Sequence, residues 1–457
     1  MVHILAANKR DLTQGVIWRK MLAFFIPLFM GNLLQQLYTT ADAVIIGRFA
    51  GKDALASIDA IYNLIKFPTN FFMGLSAAAT ILVSQFYGAK DQESLSDAAH
   101  TAIAFSAVGG LLLSAAGLAV SAPAMRWLNV PREIIPATLS YIRIIFGGMI
   151  TALAYNIGSG ILRAVGDTRT PLVYLAVCNC ANVALDLLFI GAFRWGVAGA
   201  AAATVASQCI SAALVVRRLT RPGIPFRLRL GDVRFNGNIV GRITRMGLPM
   251  SFQNALYPVS NMALQSGVNA RGVDSIAAWA LCGKLDMMIW VACDALSDTT
   301  ATFAAQNFGA KAFGRIRQGT RVGLVMGAIV IGAVSAALYV WRARLGGLII
   351  GDRNVVAMGA ELMRLIAPFY IVYALGEPLS GSMRGVGDTF RPMLVTLIAT
   401  CGLRLLWAVF FPARGSLAGL IAAYPVSWAA ATGSLAALYF IRSAANSKKA
   451  QYDSKPG

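Results

Sequence analysis

Four residues in the first half of the chain bring reactive chemistry to places that are costly for it. Asp42, Asn182, Asp186 and Thr204 all fall inside long apolar runs. A carboxylate near the middle of a bilayer costs on the order of 2.5–3.5 kcal/mol on insertion scales, so one retained there is a functional candidate by default. Asn182 and Asp186 are four residues apart, which places them on one face of a helix. Two carboxylates, an amide and a hydroxyl form a set of hard oxygen donors that suits a small hard cation such as Na⁺. Two acids in one apolar pocket also suit proton exchange, because they disfavour each other's charge. The competing reading is a satisfied interhelical hydrogen-bond cluster or, for Asp42, a surface position near the outer mouth.

A second group lies in the other half. Lys284, Asp286, Asp294 and Asp298 share one apolar run. Asp294 and Asp298 are one turn apart and repel each other if both are charged. Lys284 and Asp286, two apart, point to different helix faces. This stripe reads as a polar substrate wall or second proton site, or as ion pairs across spans involving Lys66 or Arg404. Asp59 and Lys66, seven apart with Asn63 between them, share a face, and Glu377 is a further acid in an apolar setting. Tyr38, Tyr62, Tyr257, Met262, Trp290 and Tyr373 near the middle of apolar runs could stack on a flat cation.

The elements that must hold these residues are membrane helices. Of the 457 residues, 57 % are hydrophobic and only 13 % charged, about half the charged share of a soluble domain. Twelve stretches reach the roughly 20 apolar residues that a span requires. They lie at about 18–41, 53–80, 98–121, 134–158, 170–192, 196–217, 241–264, 275–301, 321–341, 359–381, 392–412 and 416–440. An even number of spans leaves both termini on one side. That side carries 25 Lys/Arg against 10 on the other, with five inside spans. The asymmetry predicts cytoplasmic termini, so the net charge of +20 orients the chain in a membrane rather than marking a nucleic-acid binder. The N-terminal stretch lacks the short apolar core and cleavage site of a signal peptide. Six cysteines within apolar runs form no CxxC pair, and His3 and His100 are far apart. No cofactor and no metal centre is expected beyond a coupling cation.

The halves repeat. Leu162–Pro171 (LRAVGDTRTP) and Met383–Pro392 (MRGVGDTFRP) share an R-x-V-G-D-T-x-x-P frame at an offset of 221 residues. At the same offset SQFYGAK (84–90) pairs with AQNFGAK (305–311), and Arg143 with Arg364. Pro27 pairs with Pro249 after a shift of one. Such a match marks internal duplication, and six spans per copy make the repeat parallel. In the twin turn, Gly166 and Gly387 release one helix, Asp167 and Asp388 cap the next, and Pro171 and Pro392 sit in its first turn. Twin positions also act as a control. Asp186 faces Trp407 in the alignment, Asn182 faces Leu403 and Thr204 faces Tyr424. The oxygen-rich set therefore belongs to one copy alone.

Two six-span copies with twin capped turns, and a proline one-third of the way into spans one and seven, resemble the multidrug and toxic-compound extrusion (MATE) family of prokaryotic type. The supporting motifs are QQLYTTADAVIIGRF (35–49), SQFYGAKD (84–91), LRAVGDTRTP with NCANVALDLLFIG (179–191), and AQNFGAKAFGRI (305–316). The resemblance covers roughly residues 17–441. It implies an all-α integral membrane protein of twelve helices in two pseudo-symmetric six-helix lobes, V-shaped. The expected parts are a cytoplasmic segment 1–17, an N-lobe 18–217, a linker 218–240, a C-lobe 241–441 and a cytoplasmic tail 442–457.

The implied function is secondary active efflux of organic cations or amphiphilic drugs, driven by entry of Na⁺ or H⁺ through alternating access. In one prokaryotic branch, residues matching Asp42, Asn182, Asp186 and Thr204 form the cation site of the N-lobe. Asp59, Lys66, Lys284, Asp286, Asp294, Asp298 and Glu377 are the cleft candidates, and Pro27 is the candidate hinge. The chain is then a monomer in the plasma membrane, the inner membrane in a Gram-negative source. Its partners are the lipid bilayer and a small amphiphile or organic cation, with no nucleic acid. A flippase for a lipid-linked saccharide is the alternative, kept open by Lys66, Lys284 and Arg404. A membrane-embedded enzyme is disfavoured, because no DDxxD-type motif occurs.

Overall fold

The computed structural model describes residues 11–59, 61–223, 226–410 and 415–453. His3 lies outside them, as do the last residues of the expected tail. The described residues are helical almost throughout. Among the described residues, nine helices are long and apolar enough to cross a membrane, or up to eleven if each of two bent pairs is one span. The remaining expected span is present as the 33-residue helix Gly237–Asn269. Arg242, Arg245, Gln253, Asn254 and Asn261 dilute its apolar character, which keeps it outside that set. The protein is thus a multi-pass membrane protein.

Where helices break, the cause is local. Ile135–Gly147 and Met149–Ala164 bend by 44° at the Gly147-Gly148 pair. A Cβ on Gly148 would lie 2.5 Å from Val205, so the neighbouring helix leaves no room there. At the twin position a three-residue 3₁₀ turn, Ala367–Phe369, carries Pro368 and has the same effect by other means. The second bent pair, Val273–Leu285 and Met287–Gly309, turns by 45° at Asp286. One expectation changes here. Asp59 closes the short helix Lys52–Asp59, whereas Lys66 belongs to Tyr62–Ala89, so the two do not share a helix face. By contrast Ile17–Phe49 runs unbroken through Pro27.

The chain forms two compact units. The first contains residues 11–15, Leu22–Ser251 and Gln306–Lys311; the second contains Val16–Met21, Phe252–Ala305 and the described residues from Ala312 onward. Within the first, the core packs Leu82, Leu95, Ile161, Leu162 and Val215. The linker docks onto it: Phe226 and Leu228 are buried while Arg227 and Arg229 point outward. His100 anchors it, with Nε2 accepting the Arg229 backbone N–H at 3.1 Å.

The twin motifs explain themselves as geometry. Gly166 and Gly387 have φ of 84° and 93°, the left-handed region that favours glycine. Asp167 Oδ1 accepts the Thr170 N–H at 3.1 Å, and Asp388 Oδ1 accepts that of Arg391 at 3.4 Å. Asp388 also bonds Arg442. The GAK motifs cross inside the first unit. A Cβ on Gly88 would lie 1.9 Å from the Gln306 carbonyl oxygen, and one on Gly309 1.8 Å from the Gln85 carbonyl oxygen. Only glycine fits at either position. Gln306 itself is fully buried, accepting the Leu12 N–H at 3.0 Å and donating to the Ala164 carbonyl at 2.7 Å.

Candidate functional site

Asp42 comes from Ile17–Phe49 and Asp186 from the last position of Arg169–Asp186, where the backbone widens into the π-helical segment Leu187–Ala192. Such π segments recur at functional positions, because they re-aim side chains and leave carbonyls loosely bonded. Here the two carboxyl groups stand within hydrogen-bonding reach of each other. Asp186 is fully buried and Asp42 partly so. As carboxylates both are acceptors, and neither Asp186 oxygen nor Asp42 Oδ1 has a donor. Among the described residues no ion pair reaches either one.

Asn182, one turn before Asp186, is fully buried with both amide atoms unpartnered. Thr204 lies within reach of the Tyr38 hydroxyl, one turn before Asp42. Tyr141 adds a second phenol close to both carboxyls. The structure therefore brings Asp42 and Asp186 together, with Thr204 connected through Tyr38 and Asn182 on the same helix. Tyr141 was not legible as a site residue. Its twin, Leu362, is a buried aliphatic, and that mismatch is the only signal the sequence carries for it.

The second unit has a different site. A cavity of about 510 Å³ is walled by Tyr257, Trp279, Trp290, Tyr370, Tyr424 and Trp428, with Asn261, Gln265 and Asp286 among its polar lining. Asp286 is held at the helix bend; its Oδ2 accepts the Tyr370 hydroxyl at 2.7 Å and its Oδ1 has no partner. Arg404 lies against the same wall and is fully buried. Its guanidinium carbon is 5.2 Å from the Tyr257 ring centre and 4.4 Å from that of Tyr424. Nη1 donates to Asn261 Oδ1 at 2.7 Å and Nε to Ser427 Oγ at 3.0 Å, while Nη2 is unpartnered.

Of the other candidates, Asp294 lies within electrostatic reach of Asp298, Glu377 and Arg384 in the second unit. Lys284, Asp294 and Asp298 are exposed, as are Asp59 and Lys66, with Lys66 5.4 Å from the Tyr62 ring centre. Within the second unit, Arg404 donates to the neutral groups Asn261 and Ser427, and among the described residues of that unit no ion pair joins it to Asp294 or Asp298. Glu377 Oε2 accepts from Ser297 Oγ at 2.6 Å, and Ser297 Oγ accepts from Arg384 Nη2 at 2.6 Å, so Glu377 is tied to Arg384 inside its own unit. Arg364, exposed, pairs with Glu361 at 2.6 Å. The six cysteines are free. Among the described residues, no three of His, Cys, Asp and Glu gather into a group that could hold a metal ion.

A multi-pass, internally duplicated helical protein that keeps unpaired carboxylates inside its spans has the build of a membrane transporter. The MatE family model matches residues 27–188 and again 249–410, and the chain belongs to that family, whose members are transporters rather than enzymes. Among its relatives, the probable multidrug resistance protein YpnP of Bacillus subtilis is 27 % identical over 408 residues, 88 % of this chain and 90 % of the relative. YoeA of the same organism, likewise a probable multidrug resistance protein, is 26 % identical over 396 residues, 85 % and 86 %. The probable multidrug resistance protein NorM of Thermotoga maritima is 23 % identical over 397 residues, 85 % and 84 %. Crystal structures of a MATE protein described as bent and as straight superpose with TM-scores of 0.89 and 0.87 at 20 % identity, each covering 96 % of this chain and 98 % of that one. That likeness shows a shared fold.

Proposed function

We propose that the protein is a secondary active efflux transporter for amphiphilic small molecules such as organic cations, coupled to entry of Na⁺ or H⁺ by alternating access. The observation that carries the proposal is the Asp42–Asp186 pair, two facing carboxyl groups with no cationic partner. Two such groups cannot both stay charged in apolar surroundings unless a cation lies between them or one holds a proton. Asn182, Thr204, Tyr38 and Tyr141 supply neutral oxygen and amide groups around that position. Ion arrival there replaces mutual repulsion with attraction and so biases one conformation over another. Pro27 removes one backbone hydrogen bond from the helix that carries Asp42 and is the proposed bending point.

In this reading residues 18–217 and 241–441 act as two pseudo-symmetric lobes joined by the 218–240 linker. Both termini face the cytoplasm, in keeping with the 25-to-10 bias of Lys/Arg. The multidrug names of the relatives, and the bent and straight forms described for one of the similar structures, agree with it. Small molecules enter the scheme as substrate, with Asp286 and its aromatic cavity as the proposed substrate pocket of the second unit.

The test is transport in proteoliposomes loaded with a fluorescent organic-cation dye. Imposing a Na⁺ or a proton gradient is expected to move the dye, and Asp186→Asn to abolish that movement. Dye flux that ignores both gradients would remove the proposal.

A further inference from the structure

The first unit holds a cavity of about 890 Å³ that plays no part in the site described so far. Ala50, Ala54, Ala137, Val197 and Ala198 wall it, with Glu133 and Arg194 exposed at its rim. A thin apolar layer separates it from the carboxyl pair, and each helix of the oxygen cluster contributes one residue to that layer. Ile46 follows Asp42 by four positions and Ile190 follows Asp186 by four, while Ala200 precedes Thr204 by four and Ala137 precedes Tyr141 by four. Ile46, Ile190 and Ala200 are buried in one cluster with Ala54 and Val197, and Ala50, Ala137 and Tyr141 pack against it. The cluster thus shares Ala50, Ala54, Ala137 and Val197 with the cavity wall, and Tyr141 with the site. A helical turn rises about 5.4 Å, so one layer of side chains lies between cavity and oxygens.

The internal repeat shows that this space is no property of the frame. At the offset of 221, Ala137 corresponds to Met358. At the offset of 220 that pairs Thr204 with Tyr424, Val197 and Ala200 correspond to Leu417 and Leu420. Leu420 is buried, and so close to Gly267 that a Cβ on that glycine would lie 2.8 Å from it. Larger side chains therefore stand in the second copy where small ones line the cavity of the first. One turn below the layer, Asp186 is fully buried with both oxygens unpartnered.

We propose that the coupling cation reaches Asp42 and Asp186 through this cavity, by a route contained in the first unit, and that Ile46 and Ile190 are its gate. The proposal deepens the coupling reading by giving the ion an entrance, and it rests on that reading. With both termini cytoplasmic, the cavity lies on the outer side, from which a driving ion enters. A hydrophobic constriction stays dry while closed and admits water and ions once its side chains part. Ile190 is the leaf that moves, because it lies in the π-helical segment Leu187–Ala192, where the regular backbone ladder is interrupted. Glu133 and Arg194 balance each other at the rim, so the mouth concentrates neither sign of charge and selection is left to the oxygens below.

The test plugs the cavity and leaves the gate and the oxygens untouched. In full-length Ala50→Cys the introduced thiol is alkylated with N-ethylmaleimide, a neutral reagent. Charge movement after a Na⁺ or proton step is then recorded on adsorbed membrane vesicles whose outer face meets the bath. Alkylation is expected to slow the movement about tenfold or more against the same variant left unlabelled. The ion concentration giving half the charge is expected to stay the same, because a blocked entrance alters a rate and not an equilibrium. The unsubstituted chain, treated in parallel, reports any effect of its own six free cysteines. If Ala50→Cys does not fold, Ile190→Ala decides, since it thins the gate and is expected to shorten the time constant at unchanged half-saturation. Equal rates with and without the label, or an unaltered time constant in Ile190→Ala, would overturn the proposal and leave the coupling reading standing. A shifted half-saturation at constant rate would also overturn it, by making the substituted residue part of the binding site. No charge movement in the unsubstituted protein would remove the coupling reading and this proposal together.

Discussion

The two units share a copied frame and hold opposite chemistries. In the first, Asp42 and Asp186 face each other, with no ion pair to either among the described residues and two phenols, a hydroxyl and an amide nearby. In the second, Asp286 lines an aromatic cavity and a buried arginine, Arg404, packs against two of its tyrosines. Twin positions show how little of either site belongs to the frame: Asp186 corresponds to Trp407, Asn182 to Leu403, Arg404 to Val183. What the copies do share is corners and crossings, the Gly166/Gly387 turns and the Gly88/Gly309 contacts. Duplication preserved the parts that set backbone paths, and left the side chains facing the interior free to diverge.

Substitutions at twin positions can sharpen or break this division. The largest contrast lies at Asp186 and Trp407. Asp186→Asn is expected to eliminate gradient-driven dye transport while the protein still purifies as a monodisperse species. Trp407→Phe removes the indole bond to the Gly419 carbonyl, 3.0 Å long, and is expected to cost about 1 kcal/mol of stability with transport retained. Transport measured alongside thermal melting separates the two, and loss of transport in both would merge site and scaffold.

Next come the crossing glycines. A methyl group at Gly88 or Gly309 would collide with a backbone carbonyl that cannot swing aside. Each alanine variant is expected to lose about 1–3 kcal/mol. Fluorescence-detected gel filtration of the solubilised protein should show a similar fall in folded material for both. Unequal effects would mean that the crossing is not the symmetric contact its geometry implies.

Smaller effects are expected at the corners. Asp167→Ala removes a helix cap, about 1 kcal/mol by precedent. Asp388→Ala removes the matching cap together with the Arg391 and Arg442 contacts, and should likewise lower the melting temperature. The smallest is the exposed cap Asp91, which lies between helices. Side-chain and backbone hydrogen bonds from Ser94 hold its carboxyl below the ordinary carboxylate pKa. A depressed folded-state pKa means that its contribution is complete above the unfolded-state pKa and is lost as pH falls through the folded one. Melting curves at descending pH should therefore show a slightly flatter acid dependence for Asp91→Ala than for the unmodified protein.

Much of the frame was legible because membrane helices and duplications leave long-range signals. Apolar runs located the helices but not their ends, since Ile17–Phe49 and Phe313–Ile349 extend well past the runs that announced them, and the G-D-T-x-x-P frame marked the corners. The second run differed in its organisation as well. Its helix begins at Tyr62 rather than near residue 53, because Lys52–Asp59 is a separate short helix. Asp42 and Asp186, 144 positions apart in the numbering, could be paired beforehand only through twin mismatch and family resemblance. Tyr141 could not be singled out, since a tyrosine in an apolar run has many uses. The aromatic cavity was hidden for a related reason. Tyr257 and Trp290 stood out as mid-span aromatics, but nothing local to Asn261, Trp279 or Trp428 reveals that they converge on Asp286 and Arg404.

Ion binding at the oxygen cluster of the first unit can be recorded without any substrate. Protein adsorbed on a solid-supported membrane should give a transient charge movement when Na⁺ or proton concentration is stepped, and Asp186→Asn should silence it. A transient of unchanged size in that variant would place the coupling ion elsewhere and contradict the account.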